Sequence, residues 1–300
     1  ESRIVAWQDL VNERPVPYDD NGHGTHVSGI IAGNGTASRG KYKGMAPEAK
    51  LVAIKALDNE GSGNTSDVIS AIEWCIENQT VYNIKAINLS IGTTAQDSYR
   101  EDPLCRMVSA AWASGMVVCI AAGNDGPGSR TINTPGITPN AITVGNLDDK
   151  DTVDVDDDII NDSSSRGPTN DGIVKPDLLA PGTNIMSLRA GGGYRALSGT
   201  SMAAPMVTGA VAQLLQKYPG YKPDQVKRIL QKNAHNMGLQ AVTGGAGGLN
   251  LEGLFEEEKK EDTVRQNPLM NIFSGISSLL KNLEFFRKLP FLDTLVIQEA

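Results

Sequence analysis

The amino-acid sequence predicts an α/β protein, a three-layer sandwich with helices on both faces of a mostly parallel central sheet. Short apolar segments rich in Val, Ile and Ala alternate with segments of helical character. Strands buried on both faces are continuously apolar, and parallel strands need a helix or long crossover between them. The 32 glycines among 300 residues fit the many tight turns of such a fold. These observations together indicate the fold class.

The strands and helices follow one another in a regular order. The strands are predicted from their β-branched and small apolar residues, at 4–7, 49–57, 84–91, 116–122, 140–146 and 175–182. The helices are predicted from helical spacing and end signals such as Thr65-Ser66-Asp67, Pro103 and Gly115, at 24–32, 65–79, 103–114, 200–218 and 223–233.

Glycine-rich segments follow several of the predicted strands. In an open α/β sheet, ligands bind beyond the carboxyl ends of the strands. We therefore expect one crevice lined by these segments, which are Gly61-Ser62-Gly63, Ser90-Ile91-Gly92 and Gly123-Asn124.

Composition excludes some classes of function. The net charge of −8 comes without a basic stripe, which argues against a nucleic-acid partner. No run is long and apolar enough to span a bilayer. Cys75, Cys105 and Cys119 are odd in number and lie in apolar segments, so we expect buried reduced thiols. Free thiols favour a reducing compartment, and we expect a cytoplasmic protein.

One serine stands at the start of a predicted helix. Ser201 lies between small residues and precedes an apolar run. The free N–H groups and positive dipole end of a helix N-terminus suit an oxyanion. A serine hydroxyl needs a general base, usually histidine. Of the three histidines, His23 is flanked by Gly22 and Gly24 and is the best candidate, whereas His26 and His235 are interpreted as structural.

Asn124 also bears on the chemistry. The carboxamide of Asn124, at the end of an apolar strand, can donate to an oxyanion.

The sequence offers little sign of a metal site. The spacing of His23 and His26, without a nearby Glu or Cys, does not match a known zinc motif. The Asp-rich stretch 150–162 is interpreted as a solvated loop, with a structural calcium site as the alternative. No cofactor is required for the predicted chemistry.

Five ordered segments resemble the subtilases, the subtilisin-like serine peptidases, and the bacterial intracellular branch most of all. The resemblance covers 1–254 and implies a subtilisin-like fold, with these segments at 21–27, 121–126, 163–168, 175–182 and 199–205. It implies a serine endopeptidase that acts on polypeptides through an acyl-enzyme, with His23 as general base, Ser201 as nucleophile and Asn124 as oxyanion donor. It also implies substrate binding by backbone pairing at Gly61, Ser62, Gly63, Ser90, Ile91, Gly92, Ala121, Ala122 and Gly123.

The triad aspartate of the subtilases is the one element without a match. Their Asp-Ser/Thr-Gly turn does not occur before His23, where Asp9, Asp19 and Asp20 are the only aspartates. We therefore expect the first strand of the fold to be missing, with a preceding segment or prodomain as a possible partner. The alternatives are an impaired pseudoprotease or peptide-binding module, and a non-peptidase hydrolase such as an esterase.

Composition changes beyond residue 254. Residues 255–268 form a predicted charged linker. Apolar residues then recur at helical spacing, so 269–300 is predicted to be an amphipathic helical tail whose apolar face docks on the protein or on a partner.

Overall fold

A computed structural model describes residues 3–252, 254 and 293–298. Its main sheet has the strand order β1-β2-β10-β3-β4-β5-β6, with β7 also paired to β5. All pairs are parallel except β5 with β6. The strands are β1 (Ile4–Asp9), β2 (Lys50–Lys55), β3 (Ala86–Leu89), β4 (Val117–Ala121), β5 (Ile142–Asp148), β6 (Ile159–Ile160), β7 (Leu178–Pro181), β8 (Ile185–Leu188), β9 (Tyr194–Leu197) and β10 (Asp293–Gln298).

Helices cover both faces of this sheet. α1 packs on α5, α2 packs on α4, and α5 also contacts β3, β4, β5 and β7. The helices are α1 (His23–Ala32), α2 (Thr65–Glu77), α3 (Gln79–Tyr82), α4 (Pro103–Ala113), α5 (Thr200–Lys217), α6 (Pro223–Asn233) and α7 (Ala241–Gly244). The α/β class and the mostly parallel sheet are therefore confirmed. β8 and β9 form a separate antiparallel hairpin against α1.

Burial and end signals explain why these segments form strands and helices. Every residue of β3 and of β4 is buried, as expected for strands covered on both faces. α4 starts with Pro103 after Asp102, whose carboxylate accepts the N–H groups of Leu104 and Cys105. The proline and the N-cap carboxylate together fix the start of this helix.

The C-terminal tail differs from the prediction. Residues 293–298 form strand β10, so the prediction of a helix through 300 is wrong for this segment. β10 lies between β2 and β3, in register from Asp293 beside Lys50 to Gln298 beside Lys55. A missing first strand would leave an unpaired position in the parallel sheet. β10 pairs with both β2 and β3, so no such gap is present between these two strands. The predicted linker at 255–268 and the tail at 269–292 lie outside the described residues.

The Asp-rich loop satisfies many of its own oxygens. Thr152 donates to Asp157, and Lys150 pairs with Asp148 at 3.0 Å. Within 3–252, 254 and 293–298, no group of three or more His, Cys, Asp or Glu side chains is arranged to hold a metal ion. The same ranges contain no helix of the length and hydropathy that a membrane crossing requires.

A buried ion cluster ties α6 to the sheet. Asp177 accepts from Lys175 at 2.7 Å and from Lys227 at 2.8 Å, and the N–H of Thr143 donates to the same carboxylate. Lys175 is 1% exposed. Its burial lowers its pKa to about 8, although the Asp177 carboxylate acts in the opposite direction.

The depressed pKa of Lys175 predicts a pH-dependent stability. Between about pH 8 and the ordinary lysine pKa of 10.5, the unfolded chain holds more protons at this position. This group alone should therefore make the free energy of unfolding rise with pH across that window, by on the order of 1–3 kcal/mol. Burial raises the pKa values of the three cysteines from their ordinary 9.0, so these thiols act in the opposite direction, and the difference between wild type and variant isolates the lysine. Urea unfolding of the wild type and of Lys175→Met at pH 7.5, 9 and 10.5 measures the rise. Since Asp177 keeps Lys227, the variant should fold but lose this rise, and parallel profiles would contradict the assignment.

Candidate active site

The start of α5 holds Ser201 in a fixed backbone geometry. Gly199 precedes the helix at φ 150, and a Cβ there would lie 3.3 Å from the Asn124 Oδ1, so glycine permits the approach of that side chain. Pro205, inside α5, has no N–H for the carbonyl of Ser201 four residues earlier. That carbonyl instead accepts the hydroxyl of Ser90 at 2.9 Å.

Ser90 therefore bonds Ser201 at two points. Its own carbonyl accepts the Ser201 Oγ at 3.2 Å, and its hydroxyl also accepts Nδ2 of the buried Asn88. The Asn88 Oδ1 in turn accepts the hydroxyl of Thr208 on α5 at 2.9 Å. This buried chain of hydrogen bonds fixes the first turns of α5 against the end of β3.

Thr200 orients the carboxamide of Asn124. The Thr200 N–H donates to Asn124 Oδ1 at 2.9 Å, and the Thr200 hydroxyl lies 3.2 Å from the same oxygen. The Gly123 N–H donates to that hydroxyl at 3.2 Å. Because the amide oxygen is held by Thr200, the Nδ2 hydrogens are the part of Asn124 that can donate to a ligand.

Ser201 and Asn124 share one cavity of about 500 Å³. Most of the predicted substrate-binding residues line it as well: Gly61, Ser62, Gly63, Ser90, Ile91, Gly92, Ala121 and Gly123. Ala122 does not belong to this wall. It is fully buried beside Cys105, its N–H bonds Val144 and its carbonyl bonds Asn133. The two-residue period of the strand points it away from the cavity.

His23 is the first residue of α1, which packs on the Ser201 helix. It is half-buried and lies outside the wall of the 500 Å³ cavity. Asp19 caps this helix, because its carboxylate accepts the N–H groups of Gly22 and Thr25. Gly22 has φ 95, a left-handed conformation that favours glycine. Cap and glycine together place His23 at the helix start.

His26 has the structural surroundings that were predicted. His26 is fully buried, and its Nε2 lies 3.0 Å from the carbonyl of Ile185 and 3.1 Å from that of Arg195. Burial lowers the pKa of His26, against the effect of these two carbonyls, so the neutral ring fastens α1 to the β8–β9 hairpin. The backbone of His235, which follows α6, pairs with that of Gly248.

The three aspartates before His23 are each engaged elsewhere. Asp19 is the helix cap, and Asp20 pairs with the buried Lys55 at 2.8 Å. Asp9 accepts three N–H groups of the following loop and the hydroxyl of Tyr18. Burial acts to raise the pKa of Asp9, but these hydrogen bonds outweigh it and the pKa lies below its usual value. None of the three carboxylates is directed at the histidine ring by these contacts.

Several residues of the site had no distinct signal in the sequence. Asn88, Thr208 and Thr200 are ordinary residues of a strand and a helix until the fold brings them together. One clue existed in Pro205, because a proline inside a helix leaves the carbonyl four residues earlier open to another donor.

The anchoring of Asn124 gives a testable prediction. Thr200→Val removes the hydroxyl, weakens the hold on Asn124 and leaves the Gly123 N–H without its acceptor. For the acyl transfer that the family resemblance implies, we expect kcat to fall roughly tenfold, a fraction of the 10²–10³ that an oxyanion donor contributes. Thr200→Ser keeps the hydroxyl and serves as the control. In an Asn124→Ala background the Thr200→Val effect should vanish, and an additive double variant would contradict a positioning role.

Comparisons with known proteins agree with this geometry. A family model described as "Subtilase family" matches residues 2–260. The serine protease AprX of Bacillus subtilis (strain 168) is 45% identical over 272 residues, which cover 84% of this chain and 62% of that protein. Subtilisin DY of Bacillus licheniformis is 34% identical, with 83% of each covered. The chain thus spans less than two thirds of the length of AprX.

Solved structures show the same similarity. The S41 psychrophilic protease superposes with a TM-score of 0.71 at 31% identity, covering 82% of this chain and 84% of that one. Sphericase superposes with a TM-score of 0.68 at 30% identity, covering 80% and 83%.

Proposed function

The chain belongs to the subtilase family, and on that premise we propose that it acts as a serine endopeptidase. The observation that carries the proposal is the pairing of Ser201 with an oriented carboxamide. The Asn124 amide oxygen is held by the N–H of Thr200, the residue before Ser201, and both side chains line one cavity. A hydroxyl beside a preorganised N–H donor at a helix N-terminus is suited to acyl transfer.

The proposed reaction has two halves. The Ser201 Oγ leaves its resting bond to the Ser90 carbonyl and attacks the peptide carbonyl, while His23 takes its proton. The oxyanion lies between the Asn124 Nδ2 and the Ser201 N–H. His23 then gives the proton to the departing amine. In the second half, His23 takes a proton from water, the water oxygen attacks the acyl carbonyl, and the proton returns to the Ser201 Oγ as the acyl group is released. No step in this sequence requires a metal or cofactor.

The proposed substrate is an extended polypeptide. Gly61–Gly63 and Ser90–Gly92 both line the cavity that contains Ser201. Exposed backbone on two sides of a cleft can pair with a peptide as an added strand. Small side chains in these segments admit the substrate backbone and exert little selection among side chains.

The cysteines support serine as the nucleophile. All three are buried and free. Burial raises the pKa of Cys105 to about 11 and that of Cys119 to about 12, and it raises the pKa of Cys75 well above its usual value. Thiols with such pKa values remain protonated at neutral pH and are poor nucleophiles. Their free state supports the proposal of a reducing compartment.

A second candidate is a peptide-binding module with little catalysis. It is favoured by the engagement of Asp9, Asp19 and Asp20 with other partners. If no carboxylate orients the imidazole, turnover falls on the order of 10⁴-fold in a Ser-His-Asp system. The endopeptidase proposal therefore needs a carboxylate other than these three to orient the imidazole.

Labelling by a fluorophosphonate probe tests the proposal. An activated serine attacks the probe and keeps it covalently, so mass spectrometry should find the adduct on Ser201. Denatured protein serves as the control and should not react. A folded sample that binds peptides without acquiring the adduct would favour the binding module.

A further inference from the structure

Arg195 is a cation beside the start of α1 whose Nε has no partner in the described part of the chain. It is half-buried on β9, and its Nε is inaccessible to solvent and has no hydrogen-bond partner. The other half-buried arginines in the described part of the chain both donate to oxygens through their Nη groups, although the Arg166 Nε is also buried without a partner. Arg3 bonds the carbonyls of Pro47 and Ala49, and Arg166 lies 3.5 Å from Asp162.

The position of Arg195 relates it to both catalytic segments. Its Nη2 lies 3.0 Å from the point that a Cβ on Gly22 would occupy, and Gly22 immediately precedes His23. Its carbonyl accepts from the His26 ring, which fixes the backbone of β9 against α1. β9 ends at Leu197, and the chain then continues directly to Gly199 and Ser201. The guanidinium therefore lies between the start of α1 and the strand that leads to the nucleophile.

Arg195 also lies outside the wall of the cavity that contains Ser201. The acyl side of the substrate is assigned to the cavity lined by Gly61–Gly63 and Ser90–Gly92, where the proposed backbone pairing takes place. Neither Arg195 nor Gly22 contributes to that wall. An extended peptide that passes through Ser201 must leave the cavity on the other side of the nucleophile. On that assignment, the leaving-group residues extend toward Gly22, which adjoins His23, and toward β9, which leads to Ser201.

The chemistry of the guanidinium identifies its ligand. The Nε is closed to solvent, so an incoming ligand meets the Nη groups of this half-buried guanidinium, and a carboxylate accepts from such groups through two parallel hydrogen bonds. The chain carries a net charge of −8, so anionic peptides are otherwise repelled. Resting on the proposed function, we infer that Arg195 is a specificity-determining residue that binds a carboxylate on the leaving-group side of the substrate. The carboxylate comes from an Asp or Glu side chain or from the end of the peptide.

Acyl transfer tests this inference directly. An ester substrate forms the acyl-enzyme, and added dipeptide amides compete with water for it from the leaving-group side. Nucleophiles with Glu in the first or second position should capture the acyl group about fivefold better than those with Gln, as expected for a half-exposed ion pair. A second comparison, of Gly-Gly with a free carboxylate against Gly-Gly amide, shows whether the bound carboxylate can be the end of the peptide. Better capture of the free acid indicates the peptide end, and equal capture indicates a side chain.

Substitutions on the hairpin assign the preference to one residue. Arg195→Met should abolish the preference for the carboxylate, and Arg195→Lys should keep part of it because the charge remains without the planar fork. Arg189→Met is the matched control, since Arg189 is exposed on the same hairpin and its Nε donates to the Gly192 carbonyl at 3.0 Å. Equal capture of Glu and Gln nucleophiles by the wild type, or a preference that survives Arg195→Met, would overturn the inference.

A readout without catalysis separates this inference from the proposed function. The NMR signal of the Arg195 Nε–H, assigned by its absence in Arg195→Met, should shift when the Glu dipeptide amide is added and remain unchanged with the Gln dipeptide amide. The Ser201→Ala variant suits this titration because it cannot turn over. A protein that forms no acyl-enzyme but shows the shift contradicts the endopeptidase alone, whereas acyl transfer without any shift contradicts the role of Arg195 alone.

Discussion

Ser201→Ala should reduce peptide hydrolysis by about 10⁶-fold, the scale that loss of the serine nucleophile has in a subtilisin and which is carried over here from that protein. The substitution removes the attacking oxygen and its bond to the Ser90 carbonyl. The bond from the Ser90 hydroxyl to the backbone carbonyl of residue 201 remains, so α5 should start as before. Hydrolysis of an internally quenched peptide, followed by fluorescence, measures the loss.

Binding provides the control for this result. The cavity wall and the Asn124 anchor do not depend on the serine hydroxyl, so the variant should bind the same peptide with an affinity within a fewfold of the wild type. Ser109→Ala is a matched substitution at a half-buried serine on α4, whose hydroxyl donates to the Cys105 carbonyl. Hydrolysis by Ser201→Ala at the rate of Ser109→Ala would rule out Ser201 as the nucleophile.

Val296→Pro should destabilise the fold by about 3 kcal/mol or more. Val296 pairs with Ala53 in the register of β10 against β2. Proline removes an N–H from an interior strand and clashes with its neighbours, which is why prolines are confined to exposed outer strands and bulges. Urea unfolding measures the loss, and hydrogen exchange should show faster exchange at the amides of residues 51–55.

A second substitution separates the backbone effect from that of the side chain. Val296→Thr keeps the N–H and the β-branched shape, so its ladder with β2 should remain intact. We expect its effect on the free energy of unfolding to be well below that of the proline variant. If both variants unfold and exchange as the wild type does, the pairing of β10 with β2 is wrong.

Much of the fold followed from local patterns. The apolar strands and the helices between them were predicted within a few residues, because burial on both faces leaves a continuous apolar signal. The convergence of Ser201 and Asn124 followed from the rule that the carboxyl ends of parallel strands face one crevice. Ala122 was the exception, because strand alternation turns it toward Cys105.

Other features depend on contacts between distant segments. The helical spacing at the end of the chain did not reveal that 293–298 pairs with β2 and β3, since tertiary pairing overrides local periodicity. Lys175 and Lys227 were not recognised as partners of Asp177, because their meeting requires the fold. Asp19 was weighed only for catalysis, whereas its position before Gly22 makes it a helix cap.

The placement of β10 has a consequence for how the sheet assembles. Two strands from the first third of the chain are joined by a strand that lies far along the sequence. Closing so long a loop is slow, so this pairing should form late in folding. Until then β2 and β3 each expose unpaired N–H and carbonyl groups, and such open edges recruit strands from other molecules. Refolding yield should therefore fall as protein concentration rises.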